Sequence, residues 1–259
     1  MLRGRHGLAV LAAFALFLLS APARAQIVNL LYEAHGAPDG FSGRIAGGGT
    51  WLSGNADNLQ VQGATLLRYR HERHLVLAMA SGAYGVAGDK PFIDRQMGHL
   101  RYRVDVVGPF QLEAFVQGDR NALRRRVVRA VFGGGPRLEI FDGPILGAAL
   151  GVAYMPEYER FSEGDFPDSG AIRWHHRVST YLSHVVTIDP KLKLMHTLYM
   201  QPAADDFDNL RAFADLSLEV KVWESVALTL THSLQLDTLP PASVRSVDAD
   251  RRLSVAWTF

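Results

Sequence analysis

Histidine is the residue type with which this chain could bind a metal or transfer protons. The 259 residues include 10 His and no Cys, which excludes a thiol nucleophile, a disulfide scaffold and a thiolate-bound metal. His175 and His176 are neighbours, and adjacent residues of a strand point to opposite faces, so they cannot bind one ion together. We therefore predict no metal site and no cofactor.

A serine next to a histidine on one face would indicate a hydrolase. On a single strand such a pair needs a spacing of two residues, and no His has a Ser at that spacing. Ser183 and His184 are direct neighbours, as are His232 and Ser233, and the Gly-x-Ser-x-Gly motif is absent. We predict a protein without catalysis. A lipid A deacylase or phospholipase, with its pair formed across two strands, is the alternative.

Charged residues cluster in two places that we interpret as loops. Arg120, Arg124, Arg125 and Arg126 form the first cluster. They are candidates for contact with lipopolysaccharide phosphates through charge-assisted hydrogen bonds, and a solvated rim is the alternative. The second, in residues 156–170, is acidic and lacks the spacing of an EF-hand, so it predicts a solvated rim. Its members are Glu157, Glu159, Glu163, Asp165 and Asp168. The formal net charge of +1 gives no reason to expect a nucleic-acid partner.

The N-terminus has the pattern of a cleaved signal peptide. Arg3 and Arg5 precede an apolar stretch over residues 7–19, and Ala23-Arg24-Ala25 has the small-x-small form of a cleavage site. The apolar stretch is shorter than the roughly 20 residues that a membrane-spanning helix needs. We predict a signal peptide over residues 1–25, an N-terminal periplasmic segment over 26–42 and a β-barrel over 43–259.

Alternating polarity dominates the rest of the chain. Between Val226 and Asp237 the even positions are mostly apolar and the odd positions mostly polar, which is the pattern of a strand with one apolar face. Similar patterns predict twelve strands, with weaker ones near 43–53, 59–70, 74–84, 93–106, 110–120, 126–137 and 144–155. Most exceed the 5–6 residues usual in soluble proteins, as membrane strands do. The expected fold class is all-β, a single antiparallel transmembrane barrel of about twelve strands.

The lengths of the links between these strands alternate. We expect tight turns near 71–73, 107–109, 189–190 and 224–225, and a somewhat longer one at 139–143. Longer links are expected at 85–91, 118–124, 156–170, 202–208 and 239–245. Short periplasmic turns and longer external loops are typical of outer-membrane barrels. An even number of strands places both termini in the periplasm. A soluble β-sandwich, with a second sheet over each apolar face, is the alternative fold.

The charged strand residues must face the barrel interior. A Lys or Arg facing lipid at mid-membrane costs roughly 2–4 kcal/mol, so we predict a charged lumen in which opposite charges pair across strands. Its candidate residues are Arg68, Arg70, Arg101, Arg103, Asp105, Glu113, Arg173, Arg177, Lys191, Lys193, Arg211, Asp215, Glu219, Lys221 and Asp237. Aromatic residues near strand ends, Trp51, Tyr69, Trp174, Trp257 and Phe259, suit the lipid headgroup level.

Two segments carry resemblances to known families. Residues 253–259, with Leu253, Val255, Trp257 and a final Phe259 on the apolar face, resemble the C-terminal signal that the barrel-assembly machinery reads in outer-membrane proteins. Residues 49–57 and the strand ending at Tyr69-Arg70 resemble the first hairpin of the outer-membrane family named domain of unknown function 481. The closing hairpin, residues 228–259 with Pro240-Pro241 in its loop, is similar to that family too.

The second resemblance covers about residues 41–259, and members of that family are often labelled salt-induced outer-membrane proteins. It implies a barrel of the bacterial outer membrane with no established activity. We therefore expect a structural or narrow-pore envelope protein, without catalysis. Its expected partners are outer-membrane lipids, lipopolysaccharide and, during biogenesis, the barrel-assembly machinery, and we expect a monomer.

Overall fold

The computed structural model describes residues 39–53 and 57–259. Within them the chain forms twelve strands. They are β1 (Gly40–Leu52), β2 (Asn58–His71), β3 (His74–Ala87), β4 (Lys90–Val107), β5 (Phe110–Asn121), β6 (Arg126–Asp142), β7 (Leu146–Phe161), β8 (Ile172–Asp189), β9 (Leu192–Pro202), β10 (Leu210–Lys221), β11 (Val226–Asp237) and β12 (Val247–Thr258). Every strand pairs antiparallel with its sequence neighbours, and β1 pairs with β12, so the sheet closes. The prediction of a single antiparallel barrel of about twelve strands is confirmed.

The predicted signal peptide, residues 1–25, lies outside the described residues. The first strand begins at Gly40, which is earlier than the predicted start of the barrel at residue 43. Among residues 39–53 and 57–259, no helix has the length and apolar character needed to span a membrane.

Alternate side chains of each strand face either the lumen or the outer surface of the barrel. Arg211 and Asp215 on β10 are buried inside the barrel, whereas Leu228 and Val255, on the opposite phase of their strands, lie on the outer surface. Because successive residues of a strand point to opposite faces, one phase of each strand builds the apolar exterior and the other fills the lumen. The five aromatic residues expected at the lipid headgroups are all exposed on the outside: Trp51, Tyr69, Trp174, Trp257 and Phe259.

The two ends of the barrel differ in their connections. One end, here called the turn end, has the links 72–73, 108–109, 143–145, 190–191 and 222–225 and the C-terminal Phe259. The other, the loop end, has the links 88–89, 122–125, 162–171, 203–209 and 238–246. The links predicted at 85–91 and 118–124 are shorter in the structure, at 88–89 and 122–125. Gly88, at φ +57°, allows a tight turn at 88–89, and a 3-10 turn over Ala122–Arg124 shortens the next link.

The strand β7 continues past the point where the sequence suggested a loop. The loop predicted over residues 156–170 includes Glu157 and Glu159, which are therefore expected in a solvated rim. In the structure Pro156 stays in register opposite His176, and β7 runs on to Phe161. The rim prediction was wrong for these two glutamates, because the alternation of β7 carries both side chains into the lumen.

Three consecutive glycines, Gly133 to Gly135, sit where the backbones of β6 and β7 approach closely. A Cβ on Gly135 would overlap the Val152 carbonyl oxygen, so the strands can take this spacing only if residue 135 has no side chain. We expect Gly135→Ala to destabilise the barrel by about 1–3 kcal/mol, the usual effect of overpacking, measured by urea unfolding in detergent. Gly118→Ala is the control, because a Cβ there meets nothing within 4 Å. Equal stability of the two variants would contradict this explanation.

Candidate functional site

The candidate functional site is the lumen, because most of the predicted lumen residues point into it. Those that are buried there are Arg101, Arg103, Glu113, Arg177, Arg211, Asp215, Glu219 and Asp237. Arg68, Arg70, Asp105, Arg173 and Lys193 are half-buried nearer the two ends. Lys191 and Lys221 depart from the prediction. Lys191 lies in the turn 190–191 and Lys221 is the last residue of β10, so both are exposed to solvent at the turn end.

Glu157 is the centre of the charge pairing in the lumen. Its side chain has no exposed surface and pairs with three arginines from three different strands. Arg177 Nε lies 2.5 Å from Glu157 Oε2, Arg211 Nη1 lies 2.5 Å from Oε1, and Arg129 Nε also donates to Oε1. Three guanidiniums around one carboxylate leave a local positive excess that neighbouring acids must balance.

The neighbouring acids extend this cluster into a layer across the lumen. Arg211 also pairs with Glu159 at 2.7 Å and with Asp237 at 3.2 Å. We call the connected set the ion layer. It consists of Arg124, Arg126, Arg129, Arg177 and Arg211 with Asp119, Glu157, Glu159, Asp237 and Asp248. Arginines and acids are equal in number, so the layer is neutral overall.

The ion layer joins opposite sides of the barrel. Arg124 follows β5, yet its Nη2 lies 2.7 Å from Asp248 on β12, and its Nη1 lies 3.5 Å from Asp237 on β11. In a barrel of twelve strands these positions face each other across the lumen, so the arginine must cross it. Glu157, Glu159, Arg177 and Asp237 have no exposed surface. Water-sized groups therefore do not reach these four side chains in the state described.

Three of the four arginines expected to contact lipopolysaccharide belong to the interior instead. Arg124, Arg125 and Arg126 are buried, because the short link 122–125 turns their side chains over the mouth of the barrel and into ion pairs. The prediction was wrong for these three. Arg120 alone of the four keeps an exposed side chain, and it pairs on the outer surface with Asp94 at 3.0 Å.

Arg125 ties three loops together above the ion layer. Its Nη1 donates to Asp168 in loop 162–171 at 2.6 Å and to the Ala242 carbonyl in loop 238–246 at 3.0 Å. The guanidinium also stacks on the Phe166 ring, 3.5 Å from its centroid. Since Asp168 accepts the Ala242 N–H at 2.9 Å, a closed set of contacts spans the mouth. We call Arg125, Phe166, Asp168 and Ala242 the lid contact.

The lid contact favours the ionised form of Asp168. Partial burial raises the pKa of this carboxyl, but the hydrogen bond from Ala242 N–H and the Arg125 guanidinium lower it more, so the pKa lies below its ordinary value. The charged form therefore holds the lid contact at neutral pH. Arg173 reinforces this charge from 3.7 Å.

Toward the turn end, a second group of charges shares the lumen with aromatic rings. Glu113 pairs with Arg101 at 3.2 Å and with Arg103 at 3.6 Å. The Arg101 guanidinium lies over the rings of Phe115 and Tyr181, 5.1 and 5.7 Å from their centroids. Tyr181 stands on β8, four strands away from β4 around the barrel, so this contact joins two separate parts of the wall.

Several members of the ion layer were not predicted from the sequence. Asp119, Arg129 and Asp248 were not among the lumen candidates, and Glu157 and Glu159 were placed in a loop. The signal was present in the alternation, since Asp119 shares the phase of Glu113 and Glu157 shares that of the buried Met155. If the inward-facing set of alternate residues is followed to the end of each strand, these ion-layer residues are identified as lumen residues.

Four histidines have hydrogen bonds that can be traced to other side chains. His74 bonds Tyr102, His99 bonds Gln117, His176 bonds Tyr154 and His232 bonds Arg251. The rings of His184 and His196 contact each other in a tilted arrangement, with centroids 4.9 Å apart. These contacts give the hydrolase alternative no support.

The closed antiparallel sheet with its apolar exterior defines the class of protein, an outer-membrane β-barrel. The model of the family described as "Protein of unknown function, DUF481" matches residues 45–259. The chain belongs to this family, as the resemblance of its first and last hairpins predicted. No curated protein matches the chain.

Solved structures of similar shape are outer-membrane barrels. The NanC porin superposes with a TM-score of 0.50 at 8% identity, over 84% of this chain and 98% of that one. The KdgM porin gives a TM-score of 0.43 at 11% identity, over 84% and 99%. The translocator domain of the autotransporter NalP from Neisseria meningitidis gives 0.43 at 12% identity, over 86% and 90%. The fold supports a location in the outer membrane.

Proposed function

We propose that this protein is a narrow pore of the outer membrane that is closed in the state described here. The observation that carries the proposal is the ion layer, which fills the lumen with charged rather than apolar side chains. A buried ion pair stabilises a fold little more than apolar residues of the same volume. Charged side chains can instead be hydrated again when they separate, so such a layer can open to water.

Barrel size supports the same proposal. Eight strands leave an interior that side chains just fill, and sixteen to eighteen leave an open channel. Twelve strands enclose an intermediate lumen, which here is spanned by long arginines reaching from opposite walls. Separation of the lid contact and of the ion layer would leave a polar path from the loop end to the turn end. We place the loop end outside the cell and both termini in the periplasm.

Two further contacts belong to this proposal. Arg120, exposed near the loop end, is the residue that we propose for contact with lipopolysaccharide. Leu253, Val255, Trp257 and Phe259 lie exposed on the outer face of the last strand, where the barrel-assembly machinery would read them. We propose no catalytic step, and a monomer is sufficient for the proposed path.

Recordings in planar bilayers test the pore. We expect the protein to show rare openings of small conductance. The double variant Glu157→Ala, Arg211→Ala removes one acid and one arginine from the centre of the ion layer, and we expect it to stay open longer with a larger conductance. A matched control is Asp94→Ala, Arg120→Ala, which removes an ion pair from the outer surface. If neither the protein nor the first variant conducts, the pore is refuted and a structural role takes its place.

A further inference from the structure

A cavity lies in the middle of the lumen, between the ion layer and the Arg101–Glu113 pair. Arg129 of the ion layer and Arg101 both line it, and much of the remaining wall is apolar: Met79, Met97, Val131, Ala153 and Met155. Its volume is about 40 Å³. At roughly 10–15 Å³ for each water-sized group, it has room for about three such groups.

Both guanidiniums in the cavity wall already pair with carboxylates. Arg101 pairs with Glu113 at 3.2 Å, and Arg129 pairs with Asp119 at 3.2 Å and with Glu157. Both guanidiniums therefore have carboxylate partners, although Glu113 is shared with Arg103 and Glu157 with Arg177 and Arg211. The apolar wall disfavours a free ion, since burying a charge is costly.

The hydrogen-bond network fixes which nitrogen of His99 carries its proton. Gln117 Nε2 donates to the Asp119 carboxylate at 3.2 Å, so the amide oxygen of Gln117 faces His99. That oxygen lies 3.1 Å from His99 Nδ1, and an amide oxygen can only accept. Nδ1 therefore carries the proton, and Nε2 of the neutral ring is an acceptor.

Three buried polar atoms of the lining side chains have no hydrogen-bond partner in the structure. They are His99 Nε2, an acceptor, Arg101 Nε, a donor, and the Tyr181 hydroxyl, which can do either. His99 is 8% exposed and Arg101 is 3% exposed, so bulk water does not serve them. A ligand that satisfies His99 Nε2 and Arg101 Nε must present a donor and an acceptor within a space of about three small groups.

We propose that this cavity binds an uncharged carboxylic acid of one or two carbons. Its carbonyl oxygen would accept from Arg101 Nε, and its hydroxyl would donate to His99 Nε2. The ionised carboxylate has no proton to donate and would set its lone pairs against that of Nε2. The site holds whether or not the barrel conducts, because binding needs only the closed lumen.

The pH dependence of binding follows from the ligand. Only the protonated acid fits, so above a carboxyl pKa of roughly 4 the apparent affinity falls about tenfold for each pH unit. The titratable and charged groups around His99 are Arg101 on β4, Glu113 on β5, Arg129 on β6, Tyr181 on β8 and Tyr199 on β9. The two guanidiniums among them keep their charge over this pH range.

Equilibrium dialysis of the folded full chain in detergent against radiolabelled formate tests the site. Long incubation allows for slow entry into a closed lumen. We expect one formate bound per chain, with an apparent affinity about a hundredfold weaker at pH 7 than at pH 5. Sodium chloride at equal ionic strength should not compete.

Two pairs of variants locate the binding. Ala153→Val fills the cavity and His99→Phe removes the acceptor, and each should weaken binding at least tenfold. Their controls make the same changes on the outer surface, at Ala80 and His184, and should bind as the unchanged protein does. Electrophoresis of unheated samples verifies that each variant is folded. Absence of binding at pH 5, or binding that survives both cavity variants, overturns the proposal.

Discussion

Replacing Glu157 by Gln should lower the free energy of unfolding by about 3–5 kcal/mol, the usual loss when one partner of a buried ion pair is removed. Glutamine keeps the shape of the side chain but removes the charge that three arginines share. Arg129, Arg177 and Arg211 would then face a positive excess without water to screen it. Urea unfolding of the barrel in detergent, followed by tryptophan fluorescence, measures the loss.

The control for this substitution is Glu224→Gln in the turn 222–225. Glu224 is exposed, so the same chemical change should alter stability by no more than about 0.5 kcal/mol. A loss below 1 kcal/mol for Glu157→Gln would show that water enters the ion layer and that the lumen is not closed there.

A double-mutant cycle separates the charge effect from packing. Arg177→Gln combined with Glu157→Gln removes one charge of each sign, so the double variant should be more stable than the sum of the two single losses predicts. Contacting charged residues couple by about 0.5–3 kcal/mol. Additive losses would indicate that Arg177 and Glu157 do not act as a pair.

The barrel could be predicted from the sequence because residues that face lipid must be apolar, whereas the alternate residues that face the lumen can be polar or charged. This leaves a clear period of two in β11, where the predicted segment 226–237 coincides with Val226–Asp237. Glycines dilute the pattern in β1 and β6, where close backbone approach decides the residue type instead.

The partners inside the lumen could not be predicted in the same way. Alternation states that a side chain points inward, but not which opposite strand it reaches. Arg124 and Asp248 are far apart in sequence and meet only because twelve strands place β5 across from β11 and β12. The exposure of Arg124, Arg125 and Arg126 was predicted wrongly for the same reason. In the sequence, a short link whose side chains turn inward cannot be distinguished from an exposed basic loop.

The lid contact also joins residues that are far apart in the sequence, and its loss should have a large effect on hydrogen exchange at the mouth of the barrel. Replacing Asp168 by Asn should release the Ala242 N–H and accelerate its hydrogen exchange by about 10- to 100-fold, because hydrogen bonds to charged groups contribute about 1.5–3 kcal/mol. Arg125→Ala should give a similar acceleration, since it removes the partner that orders Asp168. Arg245→Ala is the control, because Arg245 is an exposed residue of the same loop.

Acid should reproduce the effect of Asp168→Asn in the unchanged protein. A carboxyl whose pKa is lowered by folding stabilises its contacts fully above its unfolded pKa, roughly 3.9, and loses that contribution as the pH falls through the lower folded value. The protection of the Ala242 N–H should therefore be constant from pH 7 to about pH 5 and decline below about pH 4. In Asp168→Asn the protection should be low throughout and should not change with pH over this range. If the protection of the Ala242 N–H in Asp168→Asn declined equally at low pH, the acid sensitivity would come from the ion layer and not from the lid contact.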